Sequence, residues 1–479
     1  MNKNLGILLA VSSLPGKHGI GDFGESAYHF INWLAKNHYK YWQVLPINPV
    51  GPGYSPYMST CSNAIEFRYI NLDRLVKDGL LDKVPHHHKN ATSVDYYDVG
   101  EFKKKHLYKA YKKFMSLYPE TLHKFKVRNH WVMAYATFEV FKWHNDNKCW
   151  NEWRSEDRDY FMHHNNPPKK YLDEINFVIF MQYEALKQWK AIRTHAKRKG
   201  IKLICDMPFY VGFDGVECWL NRDLFSIDPN TNKLYEVGGV GPDAFSDIGQ
   251  NWGTPIYNFA KMKEDNYRLL VDRVGYLMNL CDILRIDHFR AFDTYYVIPS
   301  WETTARTGEW KIGPREDFFN ALYAKYPNTN LIAEDLGELR PEVLELRDEY
   351  HLPGMFICEF TIFDLKVDST PNTIVYPGTH DNETLWGWYN NLSEDNLRFI
   401  ENRLQCFDRK WLFETIVKHI YGRPSLMTIF ALQDVLKLDN SARMNYPGTV
   451  GDPNWKWKLK DFTWTKRVIY PRKEWMSWL

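Results

Sequence analysis

Four carboxylates stand at or just past the ends of short apolar runs. They are Asp206 in Ile204-Cys205-Asp206-Met207-Pro208, Asp287 in Leu284-Arg285-Ile286-Asp287-His288-Phe289, Glu334 in Ile332-Ala333-Glu334-Asp335, and Asp381 in Gly378-Thr379-His380-Asp381-Asn382. A carboxylate in such a place is costly to bury without a partner. Arg285 lies two residues before Asp287, and the strand period of two sets both side chains on one face. That guanidinium is expected to keep Asp287 ionised at neutral pH. One anionic carboxyl group beside a second, protonated in a drier pocket, is the equipment for cleaving a glycosidic bond with retention, and Asp287 and Glu334 are the candidates. On the residues alone two other readings stay open. One is an ordinary Arg–Asp ion pair with a structural Glu; the other is a polycarboxylate site for Mg²⁺ or another hard cation.

Eight runs have the apolar, β-branched character of strands covered on both faces: Gly6–Val11, Tyr41–Ile47, Lys202–Phe209, Ile283–Phe289, Asn330–Leu336, Met355–Phe360, Thr373–Thr379 and Leu426–Leu432. Helical spacing recurs between most of them, over Phe23–Asn37, Phe177–Lys199, Lys263–Cys281, Pro341–Tyr350 and Arg409–Tyr421, with Gly200 as a helix stop. This alternation predicts one decorated (β/α)8 TIM barrel over 1–479, with helical and loop insertions and no separate C-terminal β-domain. The largest insertion, mostly helical, is expected at about 75–175, between the second and third strands. Acids at the C-terminal strand ends of such a barrel share one cleft.

The 479 residues carry 61 Lys+Arg against 59 Asp+Glu, a net charge of +2, which removes the broad attraction that drives nucleic-acid or anionic-membrane binding. Apolar residues at 44% and charged ones at 25% describe an ordinary globular chain. Aromatic content is high at 16%, which suits either a sugar-binding cleft or a Trp-rich core. The seven cysteines are scattered with no C-x-x-C pair, so they are expected to be reduced thiols in a cytoplasmic protein. The apolar run Leu5–Val11 is too short, and lacks the cleavage pattern, for a secretory signal. His86–His88 and the basic Lys103–Lys105 are both expected on solvated surface, since adjacent histidines on one short segment do not all turn to one ion.

The ordered set of motifs resembles glycoside hydrolase family 77 of the α-amylase clan, the 4-α-glucanotransferases (amylomaltases, disproportionating enzymes). The resemblance spans nearly the whole chain. It is carried by Gly6-Ile7-Leu8-Leu9, Gly19-Ile20-Gly21-Asp22-Phe23-Gly24, Tyr41-Trp42-Gln43-Val44-Leu45-Pro46, Ser55-Pro56-Tyr57 and Asp206-Met207-Pro208-Phe209-Tyr210-Val211. It continues through Gly238-Gly239-Val240-Gly241-Pro242-Asp243, Gln250-Asn251-Trp252-Gly253, the segments around Asp287, Glu334 and Asp381, and Ala442-Arg443-Met444-Asn445-Tyr446-Pro447-Gly448-Thr449.

The resemblance implies Asp287 as nucleophile, Glu334 as general acid/base and Asp381 as the third carboxylate, gripping sugar hydroxyls. It implies that Arg285 keeps the nucleophile charged, that His380 bonds the sugar, and that Asp206 is a structural acid. Tyr57, Trp252, Asn382 and His288 are expected among the substrate contacts, with Tyr257 as a further stacking candidate. Residues 238–255 are expected as a loop covering the site. The implied reaction moves a segment of an α-1,4-glucan donor to glucose or a maltooligosaccharide, with no cofactor and no metal. The oligomeric state is left open. An α-amylase-type hydrolase is the alternative, and a non-catalytic glucan-binding protein a remoter one. The sequence departs from the family pattern at Gly241, Ala291 and Ile65-Glu66-Phe67. These changes bear on the covering loop and the acceptor side, not on the three acids.

Overall fold

The computed structural model describes residues 4–88, 90–242, 246–337 and 339–466. Its strands, in chain order, are β1 (Leu5–Leu8), β2 (Tyr41–Gln43), β3 (Lys202–Met207), β4 (Glu236–Val240), β5 (Gln250–Pro255), β6 (Ile283–Ile286), β7 (Thr294–Pro299), β8 (Glu309–Ile312), β9 (Leu331–Ala333), β10 (Gly354–Ile357), β11 (Thr373–Tyr376) and β12 (Met427–Ala431). Eight of them form a parallel sheet in the order β10-β11-β12-β1-β2-β3-β6-β9, so each of the eight apolar runs supplies one strand of a (β/α)8 barrel. The Leu5–Val11 run supplies β1, between β12 and β2. The seam between β9 and β10 closes through Ala333 N–H to the Pro353 carbonyl at 2.9 Å and Met355 N–H to the Asp335 carboxylate at 2.7 Å. Arg347 holds the other Asp335 oxygen at 2.5 Å.

Inward-facing residues fill the barrel, among them Leu8, Tyr41, Ile204, Ile332, Ile357, Ile374, Tyr376 and Ile429, all buried. The Tyr376 hydroxyl donates across this interior to Gln43 Oε1 at 2.7 Å. The outer layer follows the helical patterns. Glu25–Lys36 buries Phe30, Ile31 and Leu34. Leu172–Arg198 runs 27 residues and is followed by Gly200 at φ +73°. Of the helix expected over Lys263–Cys281, Arg268–Met278 forms; a short helix Phe259–Lys263 precedes it, and Asn266 and Tyr267, left-handed at φ +57° and +56°, separate the two.

Between β2 and β3 the chain builds helices Tyr96–Leu117, Pro119–Arg128 and Trp131–His144 before entering Leu172–Arg198. Lys103, expected on the surface, is fully buried. Its ammonium donates to the Arg68 and Ile70 carbonyls at 2.5 and 2.8 Å and reaches Asp22 at 3.2 Å. A buried ammonium survives by such saturation of its donors.

Strands β4, β5, β7 and β8 form a second, antiparallel sheet in the order β5-β4-β7-β8, which the sequence reading did not anticipate. The 238–255 segment is accordingly not a free loop but mostly the β4–β5 hairpin, paired along β4 to β7. Its residues 243–245, including the Asp243 of the family motif, lie outside the described residues. Gly249 sits at φ +64°, where a Cβ would lie 2.4 Å from the Val240 carbonyl oxygen, so only glycine fits there.

Candidate active site

Register brings the acids together. On adjacent strands Asp206 pairs with Arg285 and Ile286 pairs with Ala333, so Asp287 and Glu334 are the next residues past two paired positions. Glu334 N–H continues that ladder to the Ile286 carbonyl at 3.0 Å. The Glu334 carboxylate turns back and accepts from the His288 backbone N–H at 2.6 Å, one residue beyond Asp287. His288 can present that N–H because its backbone lies in the left-handed region at φ +53°.

Arg285 lies between two acids. Its Nη1 faces both oxygens of the fully buried Asp206 side chain at 2.7 Å and Asp287 Oδ1 at 3.0 Å. The Tyr57 hydroxyl donates to Asp206 Oδ2 at 2.7 Å. Asp206 thus braces the arginine and the tyrosine and is closed to a ligand, in keeping with a structural acid. Burial pushes the Asp287 carboxyl up to about 7, Arg285 pulling against it. Arg285 acts on Asp287 in the expected direction, favouring the anion, while burial opposes it. The guanidinium is shared with Asp206, whose own charge raises Asp287 further, and desolvation outweighs the remainder. Burial raises Glu334 to about 8; Arg285 opposes that, while the Asp287 charge adds to it. Of the two, Asp287 is bonded directly to the guanidinium and Glu334 to a neutral backbone N–H, an arrangement suited to Asp287 as anion and Glu334 as acid.

Asp381 lies past β11, two strands round the barrel from β9, its side chain 42% exposed. Asn445 Nδ2 donates to its Oδ1 at 2.6 Å, Arg443 donates to its backbone carbonyl at 2.7 Å, and His380 Nε2 lies 3.4 Å from its other oxygen. The His380 ring stacks on Tyr57 at 5.2 Å and 13°, and Trp455 packs against both rings at 5.5 and 6.0 Å. These three rings make an aromatic wall linking Asp206 to Asp381. Burial lowers the His380 imidazole below its usual range, so it is neutral at physiological pH.

The remaining expected contacts divide. Trp252, on β5, meets the His288 ring edge-on at 4.9 Å, while its indole N–H donates to Gln250 at 3.1 Å, so the hairpin reaches the site through this residue. Burial holds the His288 imidazole down at about 3. Its ring packs among Trp252, Phe209 and Tyr210, and its backbone N–H serves Glu334. Asn382 Oδ1 accepts from the Thr379 N–H and hydroxyl at 2.8 and 2.9 Å, which fixes the turn carrying His380 and Asp381. Tyr257, a stacking candidate in the sequence, is 2% exposed with its hydroxyl bound to the Phe209 carbonyl, so no sugar can stack on it. Trp455, Asn445 and Arg443 were not assigned roles from sequence. The last two lie in a segment already singled out as a motif, whereas nothing local marks Trp455. At the Ile65-Glu66-Phe67 departure, Glu66 is buried and accepts from the Val50 and Arg68 N–H groups and the Arg68 guanidinium, bracing the chain instead of facing the cleft.

An anionic carboxylate, a protonated one beside it, a third acid across an aromatic-walled cleft and a braced arginine can carry out displacement at an anomeric carbon. Comparison with known proteins agrees with that chemistry. A family model described as 4-alpha-glucanotransferase matches residues 9–464. The chain is 36% identical over 475 residues to the 4-alpha-glucanotransferase of Clostridium butyricum, covering 96% of each. It is 34% identical to that of Aquifex aeolicus, covering 97% of each. Among solved structures, the amylomaltase from Streptococcus agalactiae in complex with acarbose superposes with a TM-score of 0.90 at 33% identity, over 99% of this chain and 96% of that one. The amylomaltase from Corynebacterium glutamicum, at 18% identity and a TM-score of 0.76 over 95% and 71%, shares the fold. The chain belongs to the 4-α-glucanotransferase family, glycoside hydrolase family 77.

Proposed function

We propose that this protein is a 4-α-glucanotransferase that moves a segment of an α-1,4-glucan donor to the 4-hydroxyl of glucose or a maltooligosaccharide, by two displacements at one anomeric carbon. In the first, an Asp287 oxygen attacks C1 while Glu334 gives its proton to the departing glycosidic oxygen, leaving a glucanyl ester on Asp287. In the second, Glu334, now a carboxylate, takes the proton of the acceptor 4-hydroxyl, whose oxygen attacks C1 and releases Asp287. Each step inverts, so the α configuration is kept.

Arg285 supplies positive charge to the Asp287 carboxylate that is regenerated, and Asp381 grips ring hydroxyls as positive charge develops at C1. Asn445 and His380 hold Asp381, while Tyr57, backed by the buried His380 and Trp455 rings, gives the cleft an aromatic side for the sugar. Trp252 and the β4–β5 hairpin approach from the Asp287 side, where exclusion of water favours a sugar acceptor.

The observation that supports the reading most is the register that makes Asp287 and Glu334 neighbours past paired strand residues, with Arg285 bonded to Asp287. Seven free cysteines, five of them buried, agree with a cytosolic setting. No described helix is long and apolar enough to cross a membrane. Incubation with maltotriose tests the reading: glucose plus a ladder of longer oligomers is expected from the native protein, and none from Asp287→Asn at native fold and glucan affinity. Shortening of maltotriose without a ladder would instead favour a hydrolase, and an active Asp287→Asn would remove the nucleophile assignment.

A further inference from the structure

The histidine triplet between β2 and the insertion helices does not behave as plain surface. His87 Nε2 and His88 Nε2 both converge on Asp98 Oδ2, at 2.5 and 2.9 Å, and the three donor atoms all lie within 4.8 Å of one another. Neighbouring side chains in an extended segment point apart. They meet here because His88 takes the left-handed conformation, φ +47°. A left-handed backbone is uncommon outside glycine and invites a functional explanation.

Three further contacts fix the arrangement. The His87 ring lies flat on Phe102, centroids 4.2 Å apart and 2° from parallel. The His87 backbone N–H donates to the Lys17 carbonyl at 2.9 Å. Asp98 sits in the first turn of Tyr96–Leu117, its own N–H bound to the Asp95 cap at 3.0 Å. The helix end and the aromatic stack thus aim two imidazole nitrogens and one carboxylate oxygen at one point.

The geometry points to a divalent transition-metal site formed by His87, His88 and Asp98, with zinc as the ion it fits. Two imidazoles and a carboxylate are zinc-type ligands, and a single carboxylate is too few hard donors for Mg²⁺ or Ca²⁺. Ligand bonds of about 2.0–2.2 Å put neighbouring donors roughly 3–3.5 Å apart. The His–Asp pairs therefore have to open by under about 1 Å to admit the ion. The side chains are 23%, 55% and 42% exposed, so water can complete the coordination. His86, the third histidine of the run, is exposed and is not in the cluster.

The ion would pin this segment to the helix whose Tyr96 stacks on Tyr54 at 4.8 Å and donates to the Trp455 carbonyl at 3.0 Å. It would be felt first as stability of that corner, since the cluster contains none of the residues of the cleft.

The test is calorimetric titration of the chelator-treated full-length protein with Zn²⁺, followed by a thermal melt with and without one equivalent. One ion per chain and a raised melting temperature are expected for the native protein and for His86→Gln. His87→Gln, His88→Gln and Asp98→Asn should each bind at least about tenfold more weakly and lose the thermal gain. No zinc uptake by the native protein would overturn the site. So would equal uptake by the double variant His87→Gln/His88→Gln, or an equal loss in His86→Gln, which would mark an unstructured polyhistidine effect. The far-ultraviolet dichroism of each metal-free variant separates lost ligation from lost folding.

Discussion

Removing the guanidinium at position 285 separates what Arg285 does for the fold from what it does for the nucleophile. Its Nη1 faces three carboxylate oxygens, two on Asp206 and one on Asp287, at 2.7, 2.7 and 3.0 Å. One nitrogen carries two hydrogens, so two charge-assisted bonds exist at a time, each worth about 1.5–3 kcal/mol. Arg285→Met keeps the length and apolar stem but leaves Asp206, with a side chain 0% exposed, as an unpaired buried charge. Breaking a buried pair from one side costs about 3–5 kcal/mol, in line with two such bonds and a large part of a typical fold's stability. Adding Asp206→Asn removes the orphaned charge while keeping an acceptor for Tyr57, and should recover most of that loss in a urea titration. Transfer should not recover. Arg285 lowers the Asp287 carboxyl by charge and by hydrogen bond, and its charge outweighs the opposing one of Asp206, so even with both removed the carboxyl moves above about 7, and each pH unit of that movement leaves tenfold less anion at neutral pH. Maltotriose disproportionation would therefore stay below the native rate in the stable double variant. An Arg285→Met protein within about 1 kcal/mol of native stability, or a double variant with native transfer, would refute the reasoning.

Two further outcomes follow from the buried acids. Transfer needs Asp287 ionised and Glu334 protonated, so kcat/KM should rise with pH towards about 7 and fall beyond about 8; a maltotriose profile still climbing well past the Glu334 value would contradict the pair. Asp434, buried with backbone donors at Leu385 and Ala431, is pushed by burial from 3.8 to about 7. The unfolded chain gives up this proton first, so between those pH values unfolding releases a proton and stability declines as pH rises, by up to about 4 kcal/mol. Asp434→Asn should cancel that decline, gaining on the native protein from acid to neutral pH in denaturant titrations, and a parallel pair of stability curves would contradict it.

The barrel was legible because its strands are buried on both faces and so read as unbroken apolar runs; all eight appear where Gly6–Val11 through Leu426–Leu432 stand. The four acids were legible for a related reason, since a carboxylate closing such a run is conspicuous. The second sheet left no comparable trace. β4 is Glu-Val-Gly-Gly-Val and β8 is largely exposed, so neither shows a hydrophobic period. Asn266 and Tyr267 separate two helices through a left-handed backbone that nothing in an otherwise helical pattern reveals. Lys103 read as one of three surface lysines because the Arg68 and Ile70 carbonyls and the Asp22 carboxylate that satisfy it are remote in sequence. Long-range pairing also hid Trp455, and the left-handed backbone of His88 hid the convergence of His87 and His88 on Asp98. The sharing of Arg285 left no sign in the sequence, where the guanidinium stands beside Asp287 alone, while across the sheet Asp206 takes its two shorter contacts.

The account turns on a covalent bond between the sugar and Asp287, and the Glu334→Gln variant can expose it. Given an α-maltosyl donor with a fluoride leaving group, the variant needs no acid to form the ester but lacks the base to discharge it. Intact-protein mass spectrometry should then show one maltosyl group added per chain, mapped by peptide fragmentation to Asp287. A label on another residue, or no adduct alongside turnover to product of inverted anomeric configuration, would contradict the central claim.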